Sequence, residues 1–285
     1  MRRHVRGLRY LPALLLCGGA ILGLRPASAE PAPISLEFGY RRMYSLDFGG
    51  AQRIFAAWEG ERPDDPLGAA SEAASLLFSE LNRLGILEAQ FYVKDSSFLR
   101  RRDLNPDPSV RARFDAALAQ AEARAELRIA RDPNDVDALF SLALVNGLEA
   151  DYASLIENRN LAALSPTKRA TRWAQRLLAV DPTYYDAYLA TGLSKYIIAS
   201  LFPPVRWILR VGGYSGDKSQ GIRELELVAE RGRYLGPFAR LLLAIAYLRQ
   251  DDASRARELL EQLRLEFPEN PLFAREIARL ESAKD

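Results

Sequence analysis

PFARLLLAIAYLRQDDASRARELLEQLRLEFPEN, Pro237 to Asn270, decides the fold. It holds two apolar stripes at helical spacing, broken at Gln250-Asp251-Asp252. The first stripe carries Leu243, Ala244 and Tyr247; the second carries Ala256, Leu260 and Leu263 and stops before Pro268. Each residue type has a mechanical reason. Small residues let two antiparallel helices approach, a leucine one turn on fills the groove between them, and proline cannot extend the second helix. The stretch is 34 residues long, and a unit of that length must be tested for repetition before any fold is named.

The same offsets recur upstream. Ala51, Phe55, Trp58 and Pro63 repeat the second-helix pattern, with Gly39 at the small position of the first helix. Ala121 and Pro133 repeat it again, as do Ala170, Leu177 and Pro182, and Gly192 takes the small position of a fourth first helix. The pattern predicts five antiparallel helix pairs at about 35–61, 66–131, 135–180, 183–233 and 235–267, closed by a capping helix near 270–282. The prolines stand 70, 49 and 86 residues apart, so about 36, 15 and 18 residues exceed whole repeats. The surplus is placed inside the second, third and fourth pairs, as insertions at about 86–108, 151–165 and 200–217. Abundant alanine, leucine and arginine with few β-branched residues agree with an all-α chain.

The repeat spacing resembles the tetratricopeptide repeat (TPR). The resemblance implies a TPR-like α-solenoid whose first helices line a concave groove. The third insertion lies within YIIASLFPPVRWILRVGGYSGDKSQGIREL, Tyr196 to Leu225. Together with YSLDFGGAQRIF and DDPLG further upstream, it is similar to the signature of the tetratricopeptide-repeat 39 / inclusion-body-clearance family. That resemblance implies an all-helical scaffold working near membranes and carries over no catalytic residue.

The N-terminus has a different character. Arg2, Arg3, Arg6 and Arg9 precede an apolar run from Leu11 to Leu24, and Ala27-Ser28-Ala29 supplies small residues before Glu30. This layout predicts a signal peptide over residues 1–29 and a domain over 30–285 that is exported to the periplasm or the cell exterior. Retention as an N-terminal anchor and lipidation at Cys17 are the alternatives. The only histidine, His4, and the only cysteine, Cys17, both lie in that segment. A processed chain would hold neither, which excludes disulfides, Cys/His zinc sites, attached c-type haem, a histidine base and a cysteine nucleophile. Five of the 39 Lys and Arg residues also lie there, leaving 34 against 37 acids and a net charge of about −3. Such a balance gives no basic field for nucleic acid.

The chemistry-bearing residues divide into four groups. Tyr184, Tyr185, Tyr188, Lys195 and Tyr196 fall on the fourth first helix, where groove contact with a peptide and packing are both open readings. Phe202, Trp207, Ile208 and Tyr214 in the third insertion are expected to pack on the third and fourth pairs first, with partner contact second. Asp132, Asp135, Asp137, Asp181 and Asp186 read as helix-start residues rather than metal ligands. Arg100, Arg101 and Arg102 read as a solvated loop, or as a contact for an acidic partner or anionic lipid. No catalytic, cofactor or metal residues are expected. The chain therefore reads as an exported, non-catalytic scaffold that binds a protein or peptide, with membrane association not required. The alternatives are an envelope helper for small-molecule or lipid transport, with a pocket shaped by the insertions, and an exported carboxylate-dependent enzyme.

Overall fold

The computed structural model describes residues 34–87, 104–201, 203, 206–207 and 216–282. Among them there are 11 α-helices and no strand. The helices are α1 (Leu36–Tyr44), α2 (Phe48–Glu61), α3 (Pro66–Arg83), α4 (Pro108–Arg131), α5 (Val136–Asp151) and α6 (Asn160–Val180). They continue with α7 (Tyr188–Ser200), α8 (Lys218–Arg231), α9 (Gly236–Leu248), α10 (Ala253–Glu266) and α11 (Pro271–Ser282). A π-helical turn, Tyr152–Ile156, extends α5, and a short 3-10 turn, Tyr185–Ala187, leads into α7.

Short polar residues start most of these helices by accepting the first free backbone N–H groups. Asp47 accepts from Gly50, Asp65 from Leu67, Asp107 from Ser109, Asp135 from Ala138, Asp217 from Gln220 and Asp252 from Arg255. The helices end just as regularly. At residues 62, 132, 181 and 267 the backbone N–H returns to the carbonyl four residues earlier, while the residue's own carbonyl accepts from the N–H three residues later. Proline follows each of those four positions, at Pro63, Pro133, Pro182 and Pro268, where a backbone donor has no use. Eleven residues before each turn stands a buried alanine: Ala51, Ala121, Ala170 and Ala256.

A fifth turn obeys the same register without the proline. Gly221, Leu225 and Val228 take the repeat positions of Ala51, Phe55 and Trp58, and the Gly232 N–H returns to Val228 at 2.8 Å. The next residue is Arg233, whose N–H needs an acceptor. Asp186, reaching over from the start of the same pair, provides it. Its carboxylate accepts from Arg233 N at 2.8 Å, Tyr234 N at 3.1 Å and Leu235 N at 2.7 Å. Burial raises this carboxyl's pKa and the three backbone donors pull it back down.

Paired helices pack side by side: α1 with α2, α3 with α4, α5 with α6, α7 with α8, and α9 with α10, and α11 lies on α10. First helices of successive pairs also meet, α3 with α5 and α5 with α7. α7 and α8 approach backbone to backbone. A Cβ at Gly192 would lie 3.0 Å from the Gly221 carbonyl oxygen, and one at Gly221 would lie 2.7 Å from the Gly192 oxygen and 2.8 Å from Tyr196 N. Gly39 serves the same purpose in the first pair, where a Cβ would enter the Phe55 ring at 2.2 Å.

The first pair also touches the last. Tyr44 donates its hydroxyl to the Tyr234 carbonyl at 3.0 Å, and Asn270 donates its side-chain amide to the Tyr44 carbonyl at 2.8 Å. Arg41 pairs with Glu266 at 3.3 Å, and Arg233 pairs with Glu37. Between these polar contacts the rings interlock. Tyr40 meets Tyr234 at 5.3 Å and Tyr44 meets Phe267 at 5.6 Å between centroids.

One insertion differs from its expected form. Residues 151–165 were expected to interrupt the third pair; they lengthen its helices instead. The π turn continues α5, and α6 already begins at Asn160 and runs through Pro166, which is buried. Most of the first insertion, residues 88–103 with Arg100, Arg101 and Arg102, lies outside the described residues, as does the proposed signal segment. The insertion's return point is fixed. Buried Glu80 takes two bonds from Arg83, at 2.8 and 2.7 Å, and a third from Asp107 N at 2.8 Å.

Candidate functional site

First helices of neighbouring pairs meet, and part of the face they form is filled by the chain's own rings. Phe78 of α3, Phe140 of α5, Tyr184 just before α7 and Phe238 of α9 each contribute one. Phe78 meets Phe238 at 5.2 Å, Phe140 meets Tyr184 at 4.9 Å, and Phe140 lies 6.0 Å from Tyr234. Tyr44 of α1 reaches Phe78 at 6.4 Å, so α1 lies against the same cluster. Ring pairs in these stacked, tilted and edge-on arrangements add about 0.5–1.5 kcal/mol each beyond the area they bury.

The five residues singled out on the fourth first helix separate in the structure. Tyr184 belongs to the ring cluster, and burial drives its phenol pKa far upward. Tyr196 is buried on the α8 side, where its backbone N lies against Gly221. Lys195 turns toward α8 and pairs with Glu224. That carboxylate also accepts from Thr191 Oγ1 at 2.7 Å and Gln220 Nε2 at 3.0 Å, so the charge of Lys195 is used inside its own helix pair. Tyr185 accepts a bond from Arg231 at 3.0 Å, with the guanidinium 5.3 Å from its ring centroid. Tyr188 is half-buried, and its hydroxyl donates to the Pro182 carbonyl at 3.3 Å.

The third insertion yields a correction. Trp207 was expected to pack on the third and fourth pairs, but it is 68% exposed. The reason is local. Leu201 takes an extended conformation at the C-terminus of α7, two residues before Pro203, so α7 ends there. A bond from the Arg206 guanidinium to the Ala199 carbonyl at 3.2 Å ties the segment to α7. Phe202, Ile208 and Tyr214 lie outside the described residues.

Beyond the ring cluster, α5 and α7 carry apolar residues that the core only half covers. On α7 these are Leu189, Leu193 and Ile197, at four-residue spacing, with Ile197 48% exposed. On α5 and its π turn, Leu144, Gly147, Asp151 and Leu155 share one face by helical geometry, and all four are half-buried. Among the described residues, no atom outside the helix's own backbone lies within 4 Å of the place a Cβ would take at Gly147. The Asp151 carboxylate has no hydrogen bond or ion pair with any described residue, and burial raises its pKa to about 7. Sequence reading missed it because attention went to aspartates at helix starts. The available signal was its setting, an acid at the end of a helix inside the apolar stretch LEADYASLI.

Three of the helix-start aspartates serve the turns and helix starts locally, whereas Asp186 serves the distant turn after α8. Asp132 accepts from Asn134 N and Asp181 from Thr183 N, closing the repeat turns, and Asp135 caps α5. Among the described residues, no group of three His, Cys, Asp or Glu side chains is placed to hold a metal ion. Val136–Ile156 is long and apolar enough to cross a membrane, but most of it is buried between neighbouring helices. No family model matches the chain, and no curated protein matches it.

Proposed function

We propose that the protein is a non-catalytic TPR-like α-solenoid scaffold, exported through its N-terminal segment, that binds a protein or peptide segment along its first helices. Four proline turns in one register and a fifth held by Asp186 support the repeat reading. Pairwise packing of consecutive helices, with first helices also meeting each other, agrees with a curved array. The observation that carries the binding reading is the α7 stripe. Leu189, Leu193 and Ile197 form an apolar row that the ring cluster leaves partly uncovered, with half-exposed Tyr188 at its start. Apolar and aromatic residues in a row on one helix are the usual anchors for an extended or helical segment.

A photo-crosslinking amino acid at Ile197 of the full chain, expressed in its native cell, tests this. The control carries the same group at Arg172 on the exposed side of α6. Discrete protein adducts from position 197 and none of the same mass from position 172 are expected. Identical adduct patterns at both positions, or none from position 197, would refute the reading.

A further inference from the structure

Resting on the scaffold reading, we propose that the α5 face formed by Leu144, Gly147, Asp151 and Leu155 receives a lysine or arginine side chain from the bound segment. The cationic head would meet Asp151, and the side-chain methylenes would lie over Gly147 between the two leucines. Three observations carry this. The first is space: outside the helix's own backbone, no described atom lies within 4 Å of the place a Cβ would take at Gly147, one turn before Asp151. The second is lining: the leucines flanking that opening are packed against the core on one side and half-exposed on the other. A long aliphatic stem suits such a slot, because Lys and Arg bury their methylenes on apolar surface and keep only the head polar.

The third is charge. The carboxylates that are buried among the described residues are all used: Glu80 by Arg83 and Asp107, Glu224 by Lys195, Thr191 and Gln220, Asp186 by three backbone donors, and Glu276 by Arg279. The Asp151 carboxyl is half-buried, is raised by that burial, and has no described partner. A carboxylate held in that state gains from any cation brought to it, since the burial cost is already present in the free protein. An anionic or neutral apolar guest would leave that cost in place. The chemistry therefore selects a cation on an apolar stem rather than a plain hydrophobe.

The test uses the full chain and three probes. One is a fluorescein-labelled peptide with a single lysine flanked by leucines, the second is the same peptide with norleucine for lysine, and the third is n-octylammonium. The lysine peptide is expected to bind at least about 10-fold tighter than the norleucine peptide, within the range of one charge-assisted contact. Asp151→Asn should erase that preference. Gly147→Leu, which fills the slot, should weaken the lysine peptide with the fold intact by circular dichroism. Should Gly147→Leu fail to fold, the Asp151→Asn comparison decides alone. Equal binding of the two peptides, or a preference that survives Asp151→Asn, would overturn the inference. Binding of octylammonium at Asp151 without binding of the lysine peptide would also overturn it, in favour of a small amine. Crosslinking from position 197 that persists in Asp151→Asn while the lysine preference is absent from the wild type removes only this inference. Absence of position-specific crosslinking in the wild type removes the scaffold reading itself.

Discussion

Gly221→Ala tests the account of the repeat packing most sharply, because every other repeat turn carries alanine at that register. The added methyl would sit 2.7 Å from the Gly192 oxygen and 2.8 Å from Tyr196 N. Ordinary contact begins near 3.4 Å, so α7 and α8 would have to separate by roughly 0.6–0.7 Å. Both obstacles are backbone, so no side chain can rotate away. Separation would also stretch the bonds from Thr191 and Gln220 to Glu224. Overpacking of this kind costs about 1–3 kcal/mol, and rigid neighbours place it near the top of the range. Alanine's better helix propensity returns about 1 kcal/mol, leaving a net loss of about 2 kcal/mol. For a domain of this size that is about 4–8 °C in Tm. Gly60→Ala in α2 is the matched control. Nothing lies within 4 Å of its Cβ position, so the same substitution should raise stability by about 0.5 kcal/mol. Calorimetric melts and urea midpoints of the two variants read the difference. An unchanged or raised Tm for Gly221→Ala would show that α7 and α8 relax to the alanine spacing of the other pairs, and would refute the argument from close approach.

Asp186→Ala should destabilise by about 3 kcal/mol, because it strands two buried backbone donors and one part-buried one, and urea denaturation would register it. A loss below 1 kcal/mol would mean that water replaces the carboxylate. Trp207→Ala should change stability by less than about 0.5 kcal/mol, since two-thirds of the residue is already exposed; a shift of several degrees in the melt would restore the packed reading. For Asp151 the linkage runs toward acid. The folded carboxyl holds its proton up to about 7, while the unfolded one releases it near 4, so the folded state binds more protons between those values. Wild-type stability should fall as pH rises through that window, and Asp151→Asn should be the more stable form above it. Matching pH–stability curves for the two proteins would contradict this.

The helix pairs were legible because four of the turns are written in residue types whose backbone chemistry is restrictive. Pro63, Pro133, Pro182 and Pro268 each follow a helix end, and the buried alanines stand at one fixed distance before them. The turn after α8 was harder to see, because its missing proline is compensated by Asp186, 47 residues from Arg233. Local spacing cannot reveal a bond made across that distance. The site was less legible for a related reason. Lys195 and Tyr196 share a helix with Ile197, and a single sequence does not show which flank meets α8. The pairing of Lys195 with Glu224 and the burial of Tyr196 against Gly221 decide that flank. Asp151 escaped because its importance comes from what surrounds it in space, which periodicity alone does not report.

The bonds from Tyr44 to Tyr234 and from Asn270 to Tyr44 span 190 and 226 positions of chain. In an array whose units touch only their neighbours, the ends fray first and unfolding spreads inward as a series of nearly independent steps. Here the first helix cannot peel away without breaking contacts made by the last two, so fraying is suppressed at both ends at once. The ring cluster then joins pairs that are distant in sequence into one cooperative unit. Unfolding should proceed in a single transition, and amides of α1 should exchange with solvent almost as slowly as those of α5. Folding bears the opposite consequence. The ends must find each other across most of the chain, and that loop-closure entropy precedes any reward, so the final docking of α1 is the slow step.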